Sequence, residues 1–326
     1  MQIKSLDFLL TFKCNSQCKH CSYKAGPEMK GFIKSESIKK YLLELEDTHS
    51  LQSITVHGGE PFLYFKQLKY ALEKGKKLGI PRRGTITNGY WAKNPSIAKK
   101  KLLELKDVGL TQITFSADSF HQEYIPLDRV KTAITSAATL AFENIWVDSY
   151  FLEDFESNNP FNDKTREINN QLEEIQNIKI NKYLLGYEGR GSNLTKYVKL
   201  KTEIPSGKCP LPFWIGGDLA APTTVEIDYE GNITLCPGIS IGNTNNKPLD
   251  EILQDYECSS HPILSRIADK GPIGLVELAE EKNCIITQQF ADECHVCYEM
   301  RKLLRSFYPQ YLAPSNCYQS RIEEPR

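Results

Sequence analysis

Short apolar runs alternate with longer amphipathic stretches over the first 190 residues of the chain. The short runs are typical of buried strands, whereas the longer stretches repeat apolar residues at the three- and four-residue spacing of a helix face. In the stretch 35–48, Ile38, Tyr41, Leu42 and Leu45 share one face, and Ser35 is a candidate N-cap. This pattern predicts strands at 5–12, 53–56, 84–87, 112–116, 145–150 and 178–185, and helices at 35–48, 64–78, 96–108, 128–142 and 163–175.

These elements form six β/α repeats about 30 residues apart, which is typical of a parallel sheet with crossover helices. A closed eight-stranded barrel typically needs about 250 residues, so this length suffices for six units. We therefore predict an α/β fold, a partial, open (β/α)6 barrel. Active sites of such folds lie at the carboxyl ends of the strands.

The pattern changes after residue 200. Residues 205–250 are rich in Pro, Gly and Asn, with short strands predicted at 225–227 and 233–235 and a turn at Glu230-Gly231-Asn232. We place a domain boundary here. Residues 1–200 are predicted to form the partial barrel, and residues 201–326 a smaller α+β domain.

The composition is that of a globular protein. Apolar residues make up 40% and charged residues 25%, and 40 Lys and Arg balance 41 Asp and Glu. A near-neutral chain is not built mainly to coat nucleic acid. No apolar run approaches the roughly 18 residues that span a bilayer. The N-terminus has no secretion signal pattern, so we expect a cytoplasmic protein without a membrane partner.

The ten cysteines fall into two groups. Clustered cysteines in a chain without an export signal indicate metal binding or redox chemistry rather than disulfides. The first group is Cys14, Cys18 and Cys21, directly after the first predicted strand, with the spacing C-x3-C-x2-C. Three thiolates on one loop can hold three irons of a [4Fe–4S] cube and leave the fourth iron open. A structural zinc would need a fourth ligand, and His20 is poorly placed to supply it beside Cys21.

This loop resembles the defining motif of the radical S-adenosylmethionine (radical SAM) enzymes, C-x3-C-x-aromatic-C after the first strand, with His20 at the aromatic position. The resemblance implies that the open iron binds the amino and carboxylate groups of S-adenosylmethionine. It further implies one-electron reductive cleavage to a 5′-deoxyadenosyl radical, which takes a hydrogen atom from a substrate.

A second matching element follows the second strand, at Gly58-Gly59-Glu60-Pro61. Two glycines let the backbone approach a ligand closely. In the family, Gly-Gly-Glu-Pro contacts the amino group of S-adenosylmethionine, which implies this role for Gly58, Gly59 and Glu60. Taken alone, the four residues are an ordinary turn.

The later strand ends carry further polar candidates. Asn88, in Thr87-Asn88-Gly89, either bonds the ligand or caps a turn. Ser116 and Asp118 resemble the family's ribose- and carboxylate-binding positions, or cap the next helix. Arg190 either pairs with the methionyl carboxylate or anchors the C-terminal domain.

The second cysteine group resembles the SPASM and Twitch extensions of radical SAM enzymes, which hold additional iron–sulfur clusters. Cys209, Cys236, Cys294 and Cys297 fit one fully ligated [4Fe–4S] cube, with a structural zinc as the alternative. The common seven-cysteine SPASM pattern is absent, so one auxiliary cluster is expected. Two other cysteines, Cys258 and Cys284, are predicted to be plain buried thiols. The role of Cys317 stays open.

The predicted function is that of a radical SAM enzyme with a SPASM/Twitch-like C-terminal domain. Its substrate is either a ribosomally made peptide, to be crosslinked, epimerised or oxidised, or a small metabolite. Only 13 residues precede Cys14, so we expect no peptide-binding winged-helix domain there. The resemblance implies a reducing partner such as flavodoxin or ferredoxin. An iron–sulfur electron carrier without substrate chemistry is the alternative from another class.

Overall fold

The computed structural model describes residues 1–46, 51–210 and 215–319. The strands are β1 Ser5–Thr11, β2 Ser53–Gly58, β3 Arg82–Thr87, β4 Gln112–Ser116, β5 Asn144–Phe151, β6 Lys179–Leu184, β7 Thr224–Asp228, β8 Asn232–Cys236 and β9 Ile239–Asn243. The helices are α1 Ser35–Glu46, α2 Phe65–Lys77, α3 Pro95–Asp107, α4 Leu127–Ala138, α5 Pro160–Leu172, α6 Leu249–Asp255, α7 Leu264–Lys270, α8 Ile273–Glu281 and α9 Glu293–Leu304.

One nine-stranded sheet runs through the molecule in the order β6-β5-β4-β3-β2-β1-β7-β8-β9. The strands β1 to β6 pair in parallel with their neighbours in sequence. A helix follows each of the first five strands, as the β/α pattern predicts. The predicted α/β fold with a parallel, open partial barrel is therefore confirmed, and β6 forms its free edge.

The helices bury one apolar stripe each against this sheet. In α1 the buried residues are Ile38, Tyr41, Leu42 and Leu45, the face expected from the sequence. They join one continuous core with the sheet residues. Burying such side chains contributes roughly 25 cal/mol per Å² of apolar surface, so helix packing holds the strand ends in place.

The helix boundaries differ slightly from prediction. Asn159 accepts hydrogen bonds from the backbone N–H groups of Phe161 and Asn162, so α5 begins at Pro160 rather than at residue 163. The structure ends α4 at Ala138, before the predicted 142, and Ala141 has a left-handed backbone (φ 49°). The predicted end of α1 at Thr48 lies outside the described residues.

The C-terminal part continues the same sheet. Strand β7 pairs in parallel with β1 from Ser5↔Thr224 to Leu9↔Asp228, and β7, β8 and β9 form an antiparallel meander. Asp228 closes the predicted turn by accepting from the backbone N–H groups of Glu230 and Asn232. Pairing with β1 was not foreseen from the sequence, and it brings the C-terminal cysteines beside the barrel. The boundary at residue 200 stays a prediction.

Within the described residues, no helix is long and apolar enough to cross a membrane.

Candidate functional site

A cavity of about 740 Å³ opens at the carboxyl ends of the parallel strands. Its wall brings together most of the predicted site residues: Cys14, Cys18, His20, Cys21, Gly58, Gly59, Asn88, Ser116 and Arg190. Two predicted residues, Glu60 and Asp118, are fully buried behind this wall. The cavity thus unites residues from β1, β2, β3, β4 and the segment after β6.

The first cysteine group lies on a loop folded back onto β1. Cys14 donates its backbone N–H to the carbonyl of Gly26 (3.1 Å), and Gly26 donates to the carbonyl of Phe12 (3.0 Å). Cys14 and Cys18 are buried, and Cys21 is half-buried. The loop therefore presents three thiols to one end of the cavity.

Burial opposes ionisation of these thiols. It raises the pKa of Cys14 to about 12, and raises the pKa of Cys18 well above its ordinary value. The positive charge of Arg190 lowers both pKa values in part. Buried thiolates need such a cation or a metal, because an isolated buried anion is strongly disfavoured.

Arg190 supports the loop directly. Its guanidinium donates from Nε to the carbonyl of Cys18 (2.8 Å) and from Nη2 to the carbonyl of Ala25 (2.7 Å). Its backbone N–H donates to the carbonyl of Cys21 (3.1 Å). Arg190 thus ties the segment after β6 to the cysteine loop.

The two glycines after β2 permit close contact with the same loop. A Cβ on Gly59 would lie 2.1 Å from the carbonyl oxygen of Lys13. Gly58 has φ 131°, and its Cβ would lie 2.5 Å from the carbonyl oxygen of Thr11. Both positions therefore require glycine, because any side chain would push β2 and the loop apart.

Glu60 organises the strand ends from behind the wall. Its Oε1 accepts from the backbone N–H of Phe62 (3.0 Å) and from the hydroxyl of Thr87 (2.8 Å), and Oε2 accepts from the backbone N–H of Asn88 (2.9 Å). Burial raises the pKa of Glu60 to about 7 despite these three donors. A carboxylate has about four acceptor positions, so these bonds leave about one.

Asn88 links β3 to the cysteine loop. Its side-chain Nδ2 lies 3.8 Å from the sulfur of Cys14 and 3.0 Å from Oδ1 of Asn15. Its Oδ1 accepts from the backbone N–H of Tyr90 (3.1 Å). The predicted turn cap at Asn88 is therefore present, and the predicted bond to a ligand stays a prediction.

Asp118 and Ser116 differ in position. The carboxylate of Asp118 accepts from the backbone N–H groups of Phe120 (2.9 Å) and His121 (3.0 Å) and contacts Nδ1 of His121 (3.0 Å). Burial raises the pKa of Asp118, but His121 and these bonds outweigh it and lower the pKa to about 2. Ser116 lines the cavity. Asp118 does not line it, and His121, which Asp118 contacts, lines it instead.

His20 forms part of an aromatic group at the barrel mouth. Its ring centroid lies 4.9 Å from that of Phe120, 4.7 Å from that of His121 and 5.2 Å from that of Tyr150. Burial lowers the pKa of His20 to about 3, so the ring is neutral. A neutral ring in tilted and edge contacts with other aromatic rings fits the predicted aromatic position of the motif.

The second cysteine group lines a smaller cavity of about 40 Å³, next to the large one, and Cys294 and Glu188 line both. Cys209, Cys236, Cys294 and Cys297 all line the smaller cavity, together with Glu188 and Arg301. The topology explains the convergence, because β8 ends at Cys236 and α9 presents Cys294 and Cys297 one turn apart. The four predicted ligands therefore meet at one place.

The sulfurs are spaced more widely than a zinc site needs. In the described parts of the chain, the one set of three His, Cys, Asp or Glu ligand atoms within 4.8 Å of one another is His20, Asp118 and His121. A tetrahedral zinc with bonds of about 2.3 Å would hold its sulfurs about 3.8 Å apart. Neither cysteine group has that close spacing.

A buried ion pair beside the second group was missed from the sequence. Arg301, 1% exposed, donates from Nη2 to Oε2 of Glu188 (3.3 Å) and from Nη1 to the carbonyl of Pro237 (2.7 Å). The thiol of Cys236 lies 3.7 Å from the same oxygen of Glu188. The available signal was the position of Arg301, one helical turn after Cys297 in α9.

The remaining cysteines line neither cavity. Cys258 and Cys317 are buried thiols, and Cys284 is half-buried. Burial of Cys258 agrees with its sequence prediction, and Cys284 is more exposed than predicted.

Comparison with known proteins adds family information. The family model described as "Radical SAM superfamily" matches residues 8–143. The chain is 23% identical over 328 residues to "Putative peptide biosynthesis protein YydG" of Bacillus subtilis (strain 168), covering 95% of this chain and 96% of that protein. It is 31% identical over 142 residues to "Molybdenum cofactor biosynthesis protein moc-5" of Caenorhabditis elegans, covering 42% of this chain and 21% of that protein.

Solved structures also resemble the chain at low identity. The crystal structure of BtrN in complex with AdoMet and 2-DOIA aligns with a TM-score of 0.47 at 13% identity, over 83% of this chain and 89% of that chain. Coproporphyrinogen III oxidase (HemN) from Escherichia coli aligns with a TM-score of 0.40 at 12% identity, over 61% of this chain and 47% of that chain.

Proposed function

The chain belongs to the radical SAM superfamily and is a radical SAM enzyme, and we propose that its substrate is a peptide. One observation carries this proposal: similarity to a peptide biosynthesis protein extends over 95% of this chain and 96% of that relative. The similarity thus includes the barrel mouth and the C-terminal segment, where a substrate would lie. The large cavity at the strand ends gives room for a peptide side chain.

Enzymes of this superfamily use a [4Fe–4S] cluster and S-adenosylmethionine. We assign the cluster to Cys14, Cys18 and Cys21, because three thiols on one loop are the donor set that a cube with one open iron requires. When bound, the cluster supplies the electron that cleaves S-adenosylmethionine to methionine and a 5′-deoxyadenosyl radical.

The chain's own residues hold this site in shape. Arg190 fixes the loop through the carbonyls of Cys18 and Ala25, and its charge favours the thiolates. Gly59 lets the backbone after β2 lie against the loop. We propose that the backbone at Gly58 and Gly59 and the side chain of Asn88 bind the methionyl part of S-adenosylmethionine, and that Glu60, buried behind the cavity wall, positions Asn88.

The ribose and adenine are assigned to the other side of the cavity. Ser116 offers a hydroxyl there, and His20 offers a neutral aromatic face. Asp118 acts through His121, because its own oxygens are engaged with the backbone and with His121 Nδ1. That contact leaves Nε2 of His121 as the free ring nitrogen at the cavity wall.

We propose an auxiliary [4Fe–4S] cluster at Cys209, Cys236, Cys294 and Cys297. The four thiols line one cavity and are the donor set of a fully ligated cube, with a structural zinc as the competing occupant. Burial raises the pKa of Cys236 and Cys297, Arg301 beside the cavity lowers the pKa of both thiols in part, and the carboxylate of Glu188 raises it further. A one-electron donor such as flavodoxin or ferredoxin and a cytoplasmic location complete the proposal, since such clusters need a reducing environment.

A small-metabolite substrate is the competing possibility, and one experiment separates the two. The reconstituted enzyme is incubated in D₂O with S-adenosylmethionine, dithionite and the short peptides encoded next to its gene. We expect 5′-deoxyadenosine together with a mass change in one peptide. Production of 5′-deoxyadenosine that depends on a cell metabolite pool but on none of the peptides would contradict the peptide proposal.

A further inference from the structure

The free edge of the sheet lies at the mouth of the large cavity. Strand β6 is the terminal strand of the sheet, and its residues Lys182, Tyr183 and Leu184 line the cavity. An edge strand exposes a row of backbone N–H and C=O groups that another extended chain can pair with.

The hydrogen bonds of β6 show which groups are free. Leu185 donates its N–H to the carbonyl of Phe151 in β5 (2.9 Å), so alternate residues before it face away from β5. Ile180, Lys182 and Leu184 therefore direct N–H and C=O outward. In the described chain, none of these outward backbone groups has a hydrogen-bond partner.

This edge is also strongly basic. The segment 179–201 contains six Lys and Arg residues and one acidic residue, in a chain whose net charge is −1. That acidic residue, Glu188, is paired with Arg301. By contrast, Lys179, Lys182 and Lys199 form no ion pair with any described residue.

The carboxylates on the cavity wall form no ion pair with Lys179, Lys182 or Lys199 within the described residues. Asp292 caps α9 by accepting from His295, Glu293 accepts from Gly207, and Glu153 is bonded to Ser157. Apolar surface lies beside the lysines, because Leu184 is 48% exposed. The edge thus offers free backbone groups, lysines without an ion-pair partner among the described residues, and an apolar contact together.

We propose that β6 binds an acidic peptide substrate in extended conformation, as an additional strand of the sheet. This inference rests on the proposed peptide function and adds how the peptide is held. Side chains of an added strand alternate between the two faces of the sheet. A peptide residue paired with Tyr183 would direct its side chain into the cavity, on the same face of the sheet as Tyr183. The peptide residues before and after it would direct their side chains to the other face, beside Lys182 and Leu184. Pairing at this edge would therefore present every second residue to the site of radical formation.

The test measures binding to the reconstituted holoenzyme, without S-adenosylmethionine, by fluorescence anisotropy. The probe is a fluorescein-labelled decapeptide of alternating Glu and Val. We expect it to bind more tightly than the matching Lys-Val peptide. Methylation of the backbone nitrogens on one edge of the probe should weaken binding by about two- to tenfold for each hydrogen bond lost. Raising the salt concentration should also weaken binding.

Two variants at one position separate charge from backbone pairing. Lys182→Ala removes one charge and keeps the outward N–H, whereas Lys182→Pro removes both, at an edge position that tolerates proline. We expect Lys182→Pro to bind about two- to tenfold more weakly than Lys182→Ala. The methylated peptide tests the same bond without altering the protein.

Several outcomes would overturn this inference: no binding of the Glu-Val peptide, equal binding of its methylated form, or equal affinity of Lys182→Pro and Lys182→Ala. Full displacement of the Glu-Val peptide by an equal concentration of oligodeoxythymidylate would also overturn the inference, since it would indicate a surface that binds polyanions nonspecifically. Any of these results would leave the peptide function intact if the mass change in D₂O is still found. Absence of a mass change in every peptide tested in D₂O is the separate result that would show the proposed peptide function to be wrong.

Discussion

The side-chain amide nitrogen of Asn88 lies 3.8 Å from the sulfur of Cys14. This contact joins the end of β3 to the loop after β1, and the backbone N–H of Asn88 is itself held by Glu60. Hydrogen bonds to cluster sulfurs stabilise the more negative, reduced state and so raise the reduction potential. The strand ends therefore influence the electronics of the proposed cluster as well as its position.

The first prediction concerns this bond. Asn88→Ala should lower the midpoint potential of the cluster at Cys14, on the order of tens of millivolts, because the sulfur loses a donor. The midpoint potential is measured in a redox titration, with electron paramagnetic resonance as the readout of the reduced cluster. Asn15→Ala is the control, since it removes the other acceptor of the Asn88 amide and leaves the sulfur contact. Equal potentials in Asn88→Ala and wild type would show that this contact does not tune the cluster.

The second prediction concerns Arg190. Arg190→Lys cannot reproduce the two bonds to Cys18 and Ala25, because an ammonium lacks the planar fork of a guanidinium. Loss of a charged hydrogen bond costs about 1.5–3 kcal/mol, so iron release to a chelator should accelerate by roughly tenfold or more. The matched control is Arg166→Lys, which alters a partly exposed arginine that also donates to a backbone carbonyl. Iron release at the same rate in both variants would be inconsistent with a supporting role.

The third prediction concerns Gly59. Gly59→Ala should displace the cysteine loop, because its Cβ would meet the carbonyl of Lys13 at 2.1 Å. The variant should bind less iron and lose affinity for S-adenosylmethionine in a calorimetric titration. Gly84→Ala serves as the control, since a Cβ in that strand has its nearest neighbour at 3.8 Å. Normal iron content in Gly59→Ala would mean that the loop and β2 can separate without cost.

The fourth prediction is a pH dependence of stability from Glu60. Burial raises the pKa of Glu60 from 4.5 to about 7, so the folded protein holds this proton more tightly than the unfolded chain. The contribution of this proton to the free energy of unfolding is fully present below pH 4.5. It declines as the pH rises to 7, by about 3 kcal/mol in total.

Glu60→Gln does not titrate and therefore isolates this effect. Relative to wild type, its free energy of unfolding should rise by up to about 3 kcal/mol between pH 5 and pH 8. Anaerobic urea unfolding at the two pH values measures the difference. A wild-type-to-variant difference that is the same at both pH values would show that Glu60 has its ordinary pKa in the folded protein.

The sequence predicted the local elements and the ligand types well. Apolar periodicity placed the six parallel strands within a few residues, because those strands and the helices between them bury regular stripes. The cysteine spacing and the glycine pair after β2 identified one end of the cavity. These features depend on residues that lie close together in the chain, so they can be predicted from the sequence.

The long-range contacts were not predictable in the same way. Pairing of β7 with β1 joins residues more than 200 positions apart, and no local pattern encodes it. The ion pair between Arg301 and Glu188 spans 113 positions and forms only after α9 packs beside the barrel. For Glu60 and Asp118, the residue type suggested ligand contact, whereas burial behind the cavity wall engages their oxygens with protein donors.

The most direct test of the radical SAM site is the formation of 5′-deoxyadenosine by anaerobically reconstituted, dithionite-reduced protein supplied with S-adenosylmethionine. We predict that wild type forms it and contains about eight irons, the content of two cubes. The triple variant Cys14→Ala, Cys18→Ala, Cys21→Ala should form none and lose about four irons, whereas Cys294→Ala with Cys297→Ala should lose about four irons and keep part of the activity. Formation of 5′-deoxyadenosine at the wild-type rate by the triple variant would contradict the assignment of the catalytic cluster to these three cysteines.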